Sequence, residues 1–387
     1  MKKMIGILAS VVLVGGILFG EGMTVRGAEE VIDWNKARQL RQREQNRETL
    51  SAEEQAYLDR AKAAIQSGNG PGQQGQRPQQ GMPEMTPRES TGLVPLTDLK
   101  EKYKGQDGGL YGGGSNEVPA EQMKRAMEAA GRIRPLDKDG NPAADGKIVL
   151  MSIGMSNTTQ AFSRFKVEAD ADKEKNPQVV IVDGAQGGMD AAAWVEGRGD
   201  IRPEKVWANA EAKMTASGVT PQQVQVIWIK QAVAGTGRFG EFPKSSDVLK
   251  ENLVKTLQMA KEKYPNLQVA YLSSRIYAGY ATTGLNPEPY AYEGAFAVRG
   301  VIEMQMKGDA GLNCDASKGA VKAPVVLWGP YLWADGVKGR KGDDLVWQKD
   351  DLANDGTHPS QSGQKKVAQM LLKFMKTDAT AKGWFVK

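Results

Sequence analysis

The chain of 387 residues carries a single cysteine, Cys314, and a single histidine, His358. One thiol cannot form a disulfide within the chain. Zinc sites of the Cys₂His₂ or Cys₄ kind and His-rich metal centres are excluded as well, because the ligands are missing. If imidazole does acid–base chemistry near neutral pH here, only His358 can do it. The sequence also lacks a run of lysines and arginines. Its 51 Lys+Arg against 46 Asp+Glu leave a net +5 that is spread thinly, which argues against nucleic acid as a partner. The glycine-dense stretch 108–114 is not followed by G-K-S/T, so it is no phosphate loop. Asp137–Asn141 opens like a calcium loop, but its sixth position is Pro142 and its twelfth Ile148. It reads instead as a turn leading into a strand.

What is present begins with an export signal. Lys2 and Lys3 precede an uncharged, mostly apolar run from Met4 to Phe19, and Gly27–Ala28 stand just before Glu29. That order is the n-region, h-region and cleavage site of a secretory signal. The run is short for a membrane span of about 20 residues. No cysteine follows it, so a lipoprotein anchor is excluded. The expectation is a cleaved signal over residues 1–28, a secreted or periplasmic mature protein and no stable membrane insertion after cleavage. Residues 29–65 read as helical, with Ser51 and Glu54 forming a capping-box start. Residues 66–119 are Gly-, Gln- and Pro-rich and read as linker and irregular chain. The folded catalytic domain is expected over 120–387. The hydrophobic content of 40% and the charge of 25% are ordinary for a globular protein.

From Lys147 onward, short apolar runs alternate with amphipathic stretches. The runs are 148–153, 179–182, 224–229, 267–272 and 325–328; the helical stretches include 203–216, 246–263, 289–306 and 361–375. Leu253, Leu257 and Ala260 recur at helical spacing. Apolar strands separated by helices predict an α/β fold, with a parallel sheet covered on both faces. A site in such a sheet lies beyond the carboxyl ends of the strands.

Each of those ends carries candidate residues. After the first run comes Gly154-Met155-Ser156-Asn157-Thr158. A serine on this turn is placed either to attack a carbonyl or, like Thr158, to cap the following helix. After the second, Gly187-Gly188 let backbone N–H groups approach a ligand, with Trp194 beyond. After the third, Lys230-Gln231 bring a charge and an amide that can donate to an oxyanion. Arg275 and Tyr277 follow the fourth, and Tyr331, Trp333 and Asp335 the fifth. The aromatics are expected at the rim, where they either stack on sugar rings or pack. Finally, Asp355-Gly356-Thr357-His358-Pro359 precedes the last helix. Asp355 is spaced to fix the imidazole tautomer and His358 to face a nucleophile.

These blocks resemble those of SGNH (GDSL-like) hydrolases, in particular the sialate O-acetylesterase-like carbohydrate esterases. Gly154-Met155-Ser156-Asn157 is similar to their G-x-S-N block. Gly187-Gly188 with Trp194 is similar to G-G-T-x-x-x-x-W, and Asp355–Pro359 to D-x-x-H-P. The resemblance covers 147 to the end of the chain. It implies a three-layer α/β/α sandwich of flavodoxin type with a five-stranded parallel sheet. It implies Ser156 as nucleophile, His358 as base and Asp355 as its partner. The oxyanion donors would be Ser156 and Gly187 or Gly188, with Gln231 as a candidate third. Asn157, Arg275, Tyr277, Tyr331 and Trp333 are the residues expected to contact substrate. The chain departs from the family in its third block, where Trp228 is followed by Ile229-Lys230-Gln231-Ala232 in place of x-Q-G-E. The implied activity is removal of acyl groups from carbohydrate, with an acylated carbohydrate as partner and no metal or other cofactor. Two alternatives stay open: an SGNH-fold carbohydrate-binding protein that has lost the chemistry, and an envelope interaction protein working through its N-terminal region.

Overall fold

The computed structural model describes residues 86–387 continuously, residues 49–66, and a few positions between 32 and 44. The expected signal, 1–28, and the linker from 67 to 85 lie outside the described residues. The chain divides into two compact units, Met1–Gly81 and Met82–Lys387. In the first, helix α1 spans Ala52–Gln66. It starts at the expected capping box: Ser51 N–H donates to Glu54 Oε2 at 2.9 Å, and Glu54 N–H to Ser51 Oγ at 3.2 Å.

The second unit holds five strands: β1 Ile148–Gly154, β2 Val179–Val182, β3 Val224–Lys230, β4 Val269–Ser273 and β5 Val325–Trp328. All pair in parallel, in the order β2-β1-β3-β4-β5. Their residues are almost all buried on both faces, which is why they read as continuous apolar runs rather than alternating ones. The longer helices are α2 (Ala120–Ala130), α3 (Ser156–Ala171), α5 (Pro203–Ala216), α6 (Lys244–Lys263), α7 (Tyr290–Met306) and α8 (Gln361–Thr377). Helices α4 (Ala191–Val195) and α9 (Lys382–Phe385) are short.

Strand order fixes the layers. The chain leaves β1 sideways to β2, then runs back past β1 to β3, β4 and β5. Right-handed crossovers therefore place α3 on one face and α5, α6 and α7 on the other. Helix α8 packs along α3. Phe162 of α3 stacks on Trp228, and Phe374 of α8 meets Tyr271 edge-on, so α3 and α8 share one face. The result is the three-layer α/β/α arrangement of flavodoxin type, and the order reverses between β1 and β3. A crevice forms at such a reversal, at the carboxyl ends of those two strands.

The chain ahead of residue 120 is part of this unit rather than linker. Leu96, Leu99 and Tyr111 are buried in the core. The carboxylate of Asp335 accepts from Ser90 Oγ, from Thr91 N and Oγ1, and from Gly92 N, at 2.5 to 3.0 Å. Trp328 Nε1 donates to Leu110 O at 2.6 Å. Residues 86–111 thus form a strap across the ends of β4 and β5. At the outer edge of β5, Val326 N–H donates to Gln305 Oε1 at 2.8 Å, and Val326 O accepts from Gln122 Nε2 at 2.9 Å. The edge main chain is satisfied there by side-chain amides.

Candidate active site

Ser156 opens α3 directly after β1. The helix is capped by Met155 in extended conformation, with no side-chain cap. The capping alternative for Ser156 and Thr158 therefore falls. Ser156 Oγ lies 2.7 Å from His358 Nε2, and Thr158 Oγ1 donates to Lys230 O at 2.5 Å. That bond ties the first turn of α3 to the end of β3. Position 154 has to be glycine for this junction to close: a Cβ there would stand 2.4 Å from Thr158 Oγ1 and 2.6 Å from Lys230 O.

The third member comes from the turn before α8. Asp355 Oδ2 lies 2.5 Å from His358 Nδ1, and Asp355 Oδ1 accepts the N–H groups of Thr357 and His358, each at 3.0 Å. Burial pushes the Asp355 carboxyl upward. The hydrogen bonds from the His358 ring and the two backbone N–H groups outweigh it and draw the value down to about 2. Asp355 is thus an acceptor at neutral pH, so the imidazole proton sits on Nδ1. Nε2 is left bare to accept from Ser156 Oγ–H.

The turn is itself held from several sides. Thr282 N donates to Asp355 O at 3.0 Å, Ala353 N to His358 O at 2.7 Å, and Arg275 Nη2 to Thr357 O at 3.1 Å. Gly356 has φ +61°, and a Cβ there would fall 1.8 Å from Tyr280 O. Glycine is required on both counts.

Gly187 and Gly188 lie exposed on the turn after β2. That turn is anchored beside the nucleophile: Gln186 N and Trp194 Nε1 both donate to Gly154 O, at 3.0 and 3.3 Å. Within the described residues, the N–H groups of Ser156, Gly187 and Gly188 make no hydrogen bond. One main-chain donor at Ser156 itself and two on the neighbouring glycine turn therefore remain unused in the described residues. Gln231 follows Lys230, whose register partner is Gly154. It is 2% exposed, and both atoms of its amide are without a partner in the described residues.

The residues expected to contact substrate are placed differently. Asn157, Arg275, Tyr277, Tyr331 and Trp333 are 1, 2, 0, 5 and 0% exposed. The aromatics are therefore not a rim. The strap covers two of them: Tyr277 Oη donates to Arg88 O at 2.7 Å, and Tyr331 Oη accepts from Leu96 N at 3.0 Å. Trp333 Nε1 is spent on Glu288 Oε1 at 2.8 Å. Arg275 instead holds the triad turn through its bond to Thr357 O. Two anchoring residues were not foreseen. Asp190 caps α4 through Ala193 N and also accepts from Ala234 N at 2.8 Å, joining the glycine turn to the loop after β3. Arg198 Nη2 donates to Gly188 O at 2.9 Å. The cap was legible as an aspartate just before Ala191-Ala192-Ala193-Trp194; Arg198 left no local signal.

No protein-family model and no curated protein matches the chain. Among solved structures, it is similar to the lipase Lip_vut3 from a goat rumen metagenome, at 16% identity and a TM-score of 0.33, over 59% of this chain and 97% of that one. It is also similar to the protein YxiM of Bacillus subtilis, at 11% identity and a TM-score of 0.31, over 61% of this chain and 57% of that one.

Proposed function

We propose that the chain is a secreted serine esterase that removes acyl groups, acetyl foremost, from carbohydrate. The observation that carries the esterase reading is the hydrogen-bonded line Asp355–His358–Ser156, with contacts of 2.5 and 2.7 Å. In this reading His358 Nε2 takes the proton from Ser156 Oγ as that oxygen bonds to the ester carbonyl carbon. The carbonyl oxygen becomes an oxyanion, held by N–H groups of Ser156 and of Gly187 or Gly188. His358 then returns the proton to the departing sugar oxygen, leaving an acyl-Ser156. Water repeats the sequence, releases the carboxylic acid and restores Ser156. Asp355 stays ionised throughout and stabilises the imidazolium. The unpartnered Gln231 amide supports its assignment as a further oxyanion donor. The carbohydrate half of the proposal rests on the likeness of the three sequence blocks, and secretion rests on residues 1–28.

The test is hydrolysis of an aryl acetate and of acetylated glycans by the full chain and by Ser156→Ala. The wild type should release acetate from both substrates and Ser156→Ala from neither. Equal turnover by the two proteins would remove Ser156 from the reaction. Turnover of the aryl ester without any acetylated glycan would retain the esterase and reject the carbohydrate.

A further inference from the structure

The glycine turn that the proposed reaction uses has few restraints of its own. Met189 N donates to Gln186 O at 3.2 Å and closes the turn, with Gly188 in its third position at φ +78°. A type II turn needs a positive φ there, which glycine supplies. The inner end is well fixed. Gln186 N donates to Gly154 O at 3.0 Å, and the Gln186 side-chain amide meets Val206 O at 2.8 Å and Asn209 Nδ2 at 3.2 Å. The outer half is not. Gly187 and Gly188 are exposed and carry no side chain to pack. Within the described residues Gly187 makes no hydrogen bond. Gly188 makes one: its carbonyl accepts from Arg198 Nη2 at 2.9 Å. Adjacent glycines are the most freely moving backbone a chain can have, so this one bond carries most of the restraint on the outer half.

Arg198 is placed to supply it. Arg198 N donates to Ile201 O at 2.9 Å and Ile201 N to Arg198 O at 3.0 Å, which closes the connection between α4 and α5 and fixes the arginine's own backbone. The guanidinium also reaches a second acceptor, since Nη1 lies 4.0 Å from Asp190 Oδ1. Asp190 is 4% exposed. Its Oδ1 accepts from Ala193 N at 3.3 Å, inside α4, and its Oδ2 from Ala234 N at 2.8 Å, in the loop after β3. Arg198 is the one cation paired with Asp190 among the described residues. A single planar fork therefore joins the loosest part of the glycine turn to a carboxylate that is locked into two neighbouring elements. A lysine, with a point charge on a flexible stem, cannot span two acceptors in this fixed way.

We propose that Arg198 is a positioning residue of the oxyanion site. By clamping Gly188 O to Asp190, it holds the N–H groups of Gly187 and Gly188 where charge develops on the ester carbonyl oxygen. This inference rests on the serine-esterase reading given above. Oxyanion donors stabilise a transition state because they are fixed before the reaction and need no reorganisation during it. Two unrestrained glycines would lose that advantage. Arg198 acts through the turn and does not itself meet the substrate.

The test compares the full chain with Arg198→Ala and Arg198→Lys in steady-state hydrolysis of an aryl acetate. A second readout is inhibition by an arylboronic acid, which adds to a serine oxygen as a tetrahedral anion and so reports on the oxyanion site without turnover. Misplacing a reacting group by about 1 Å costs about 10²-fold in rate. Arg198→Ala should therefore lose about 10²-fold in kcat with KM unchanged, and its boronate affinity should fall by the same factor. Arg198→Lys keeps one donor for Gly188 O without the fork to Asp190 and should lie between the two. Far-UV circular dichroism establishes folding; if Arg198→Ala does not fold, Arg198→Lys carries the comparison. Three results would overturn the inference. They are an unchanged kcat in the folded variant, a raised KM with kcat kept, which would make Arg198 a substrate contact, and a lowered kcat with boronate affinity unchanged, which would put its effect outside the oxyanion site. Each of these requires an active wild type, so they are distinct from failure of the esterase reading, in which the wild type itself does not turn over.

Discussion

Asp355→Asn isolates one proton. In the wild type, Asp355 Oδ1 accepts two backbone N–H groups and Oδ2 faces His358 Nδ1 at 2.5 Å. An asparagine keeps both backbone bonds only with its carbonyl oxygen in the Oδ1 position. Its NH₂ then faces Nδ1. Two donors cannot face each other, so the imidazole proton moves to Nε2. That nitrogen can no longer accept from Ser156 Oγ, although the 2.7 Å spacing survives. The loss expected from a wrong tautomer in a serine triad is about 10⁴-fold in kcat, or about 5.5 kcal/mol of transition-state stabilisation. KM should change little, because the substrate does not meet Asp355. The assay is steady-state hydrolysis of an aryl acetate, with far-UV circular dichroism to establish that the variant folds. Retention of more than about a tenth of the wild-type kcat by a folded Asp355→Asn would refute the tautomer argument, and with it the role given to Asp355.

Four further outcomes follow from the same geometry. The Asp355 carboxyl has its ordinary value of 3.8 lowered to about 2 on folding. Its stabilising contribution is therefore fully present above about pH 4 and is lost as the pH falls toward 2; urea midpoints at pH 5 and 2.5 should differ more for wild type than for Asp355→Asn. Gly356→Ala, which puts a methyl 1.8 Å from Tyr280 O at a positive φ, should displace the triad turn and abolish turnover, read as loss of fluorophosphonate labelling of Ser156. Trp333→Ala should cost about 3–5 kcal/mol in denaturant stability and leave KM for acetylated glycans unchanged, the reverse of what a sugar-stacking residue would do. Gln231→Ala should lower kcat by about 10²–10³ if the amide meets the oxyanion, and an unchanged kcat would return it to a packing role.

The fold was legible because its strands are buried on both faces. Runs such as 179–182 and 325–328 match the observed strands end for end, and β1 and β3 extend one residue past the run at glycine and lysine. The nucleophile turn and the Asp355–His358 turn were legible because their residues are close in sequence and their chemistry depends on fixed spacing. The aromatic rim was misread for a physical reason. A position beyond a strand end is near the crevice, but its exposure depends on what crosses over it. The strap that buries Tyr277 and Tyr331 comes from far upstream: Arg88, which accepts from Tyr277, precedes it by 189 residues. Its glycine-rich composition resembles a linker unless Leu96, Leu99 and Tyr111 are known to reach the core. Lys230, expected to bring a charge to the end of its strand, is 1% exposed, and that burial too depends on residues distant in sequence.

The amide pair at Val326 has a consequence for the molecule among its own kind. An open sheet edge is a template on which a second copy can add a strand. At the centre of β5 that template is already occupied, because Gln122 and Gln305 take the donor and acceptor an incoming strand would need. Adding a strand there means withdrawing two buried amides and leaving them unpaired. A chain kept at high concentration therefore carries, at this edge, a built-in barrier to edge-to-edge sheet growth, made from side-chain amides rather than from charge.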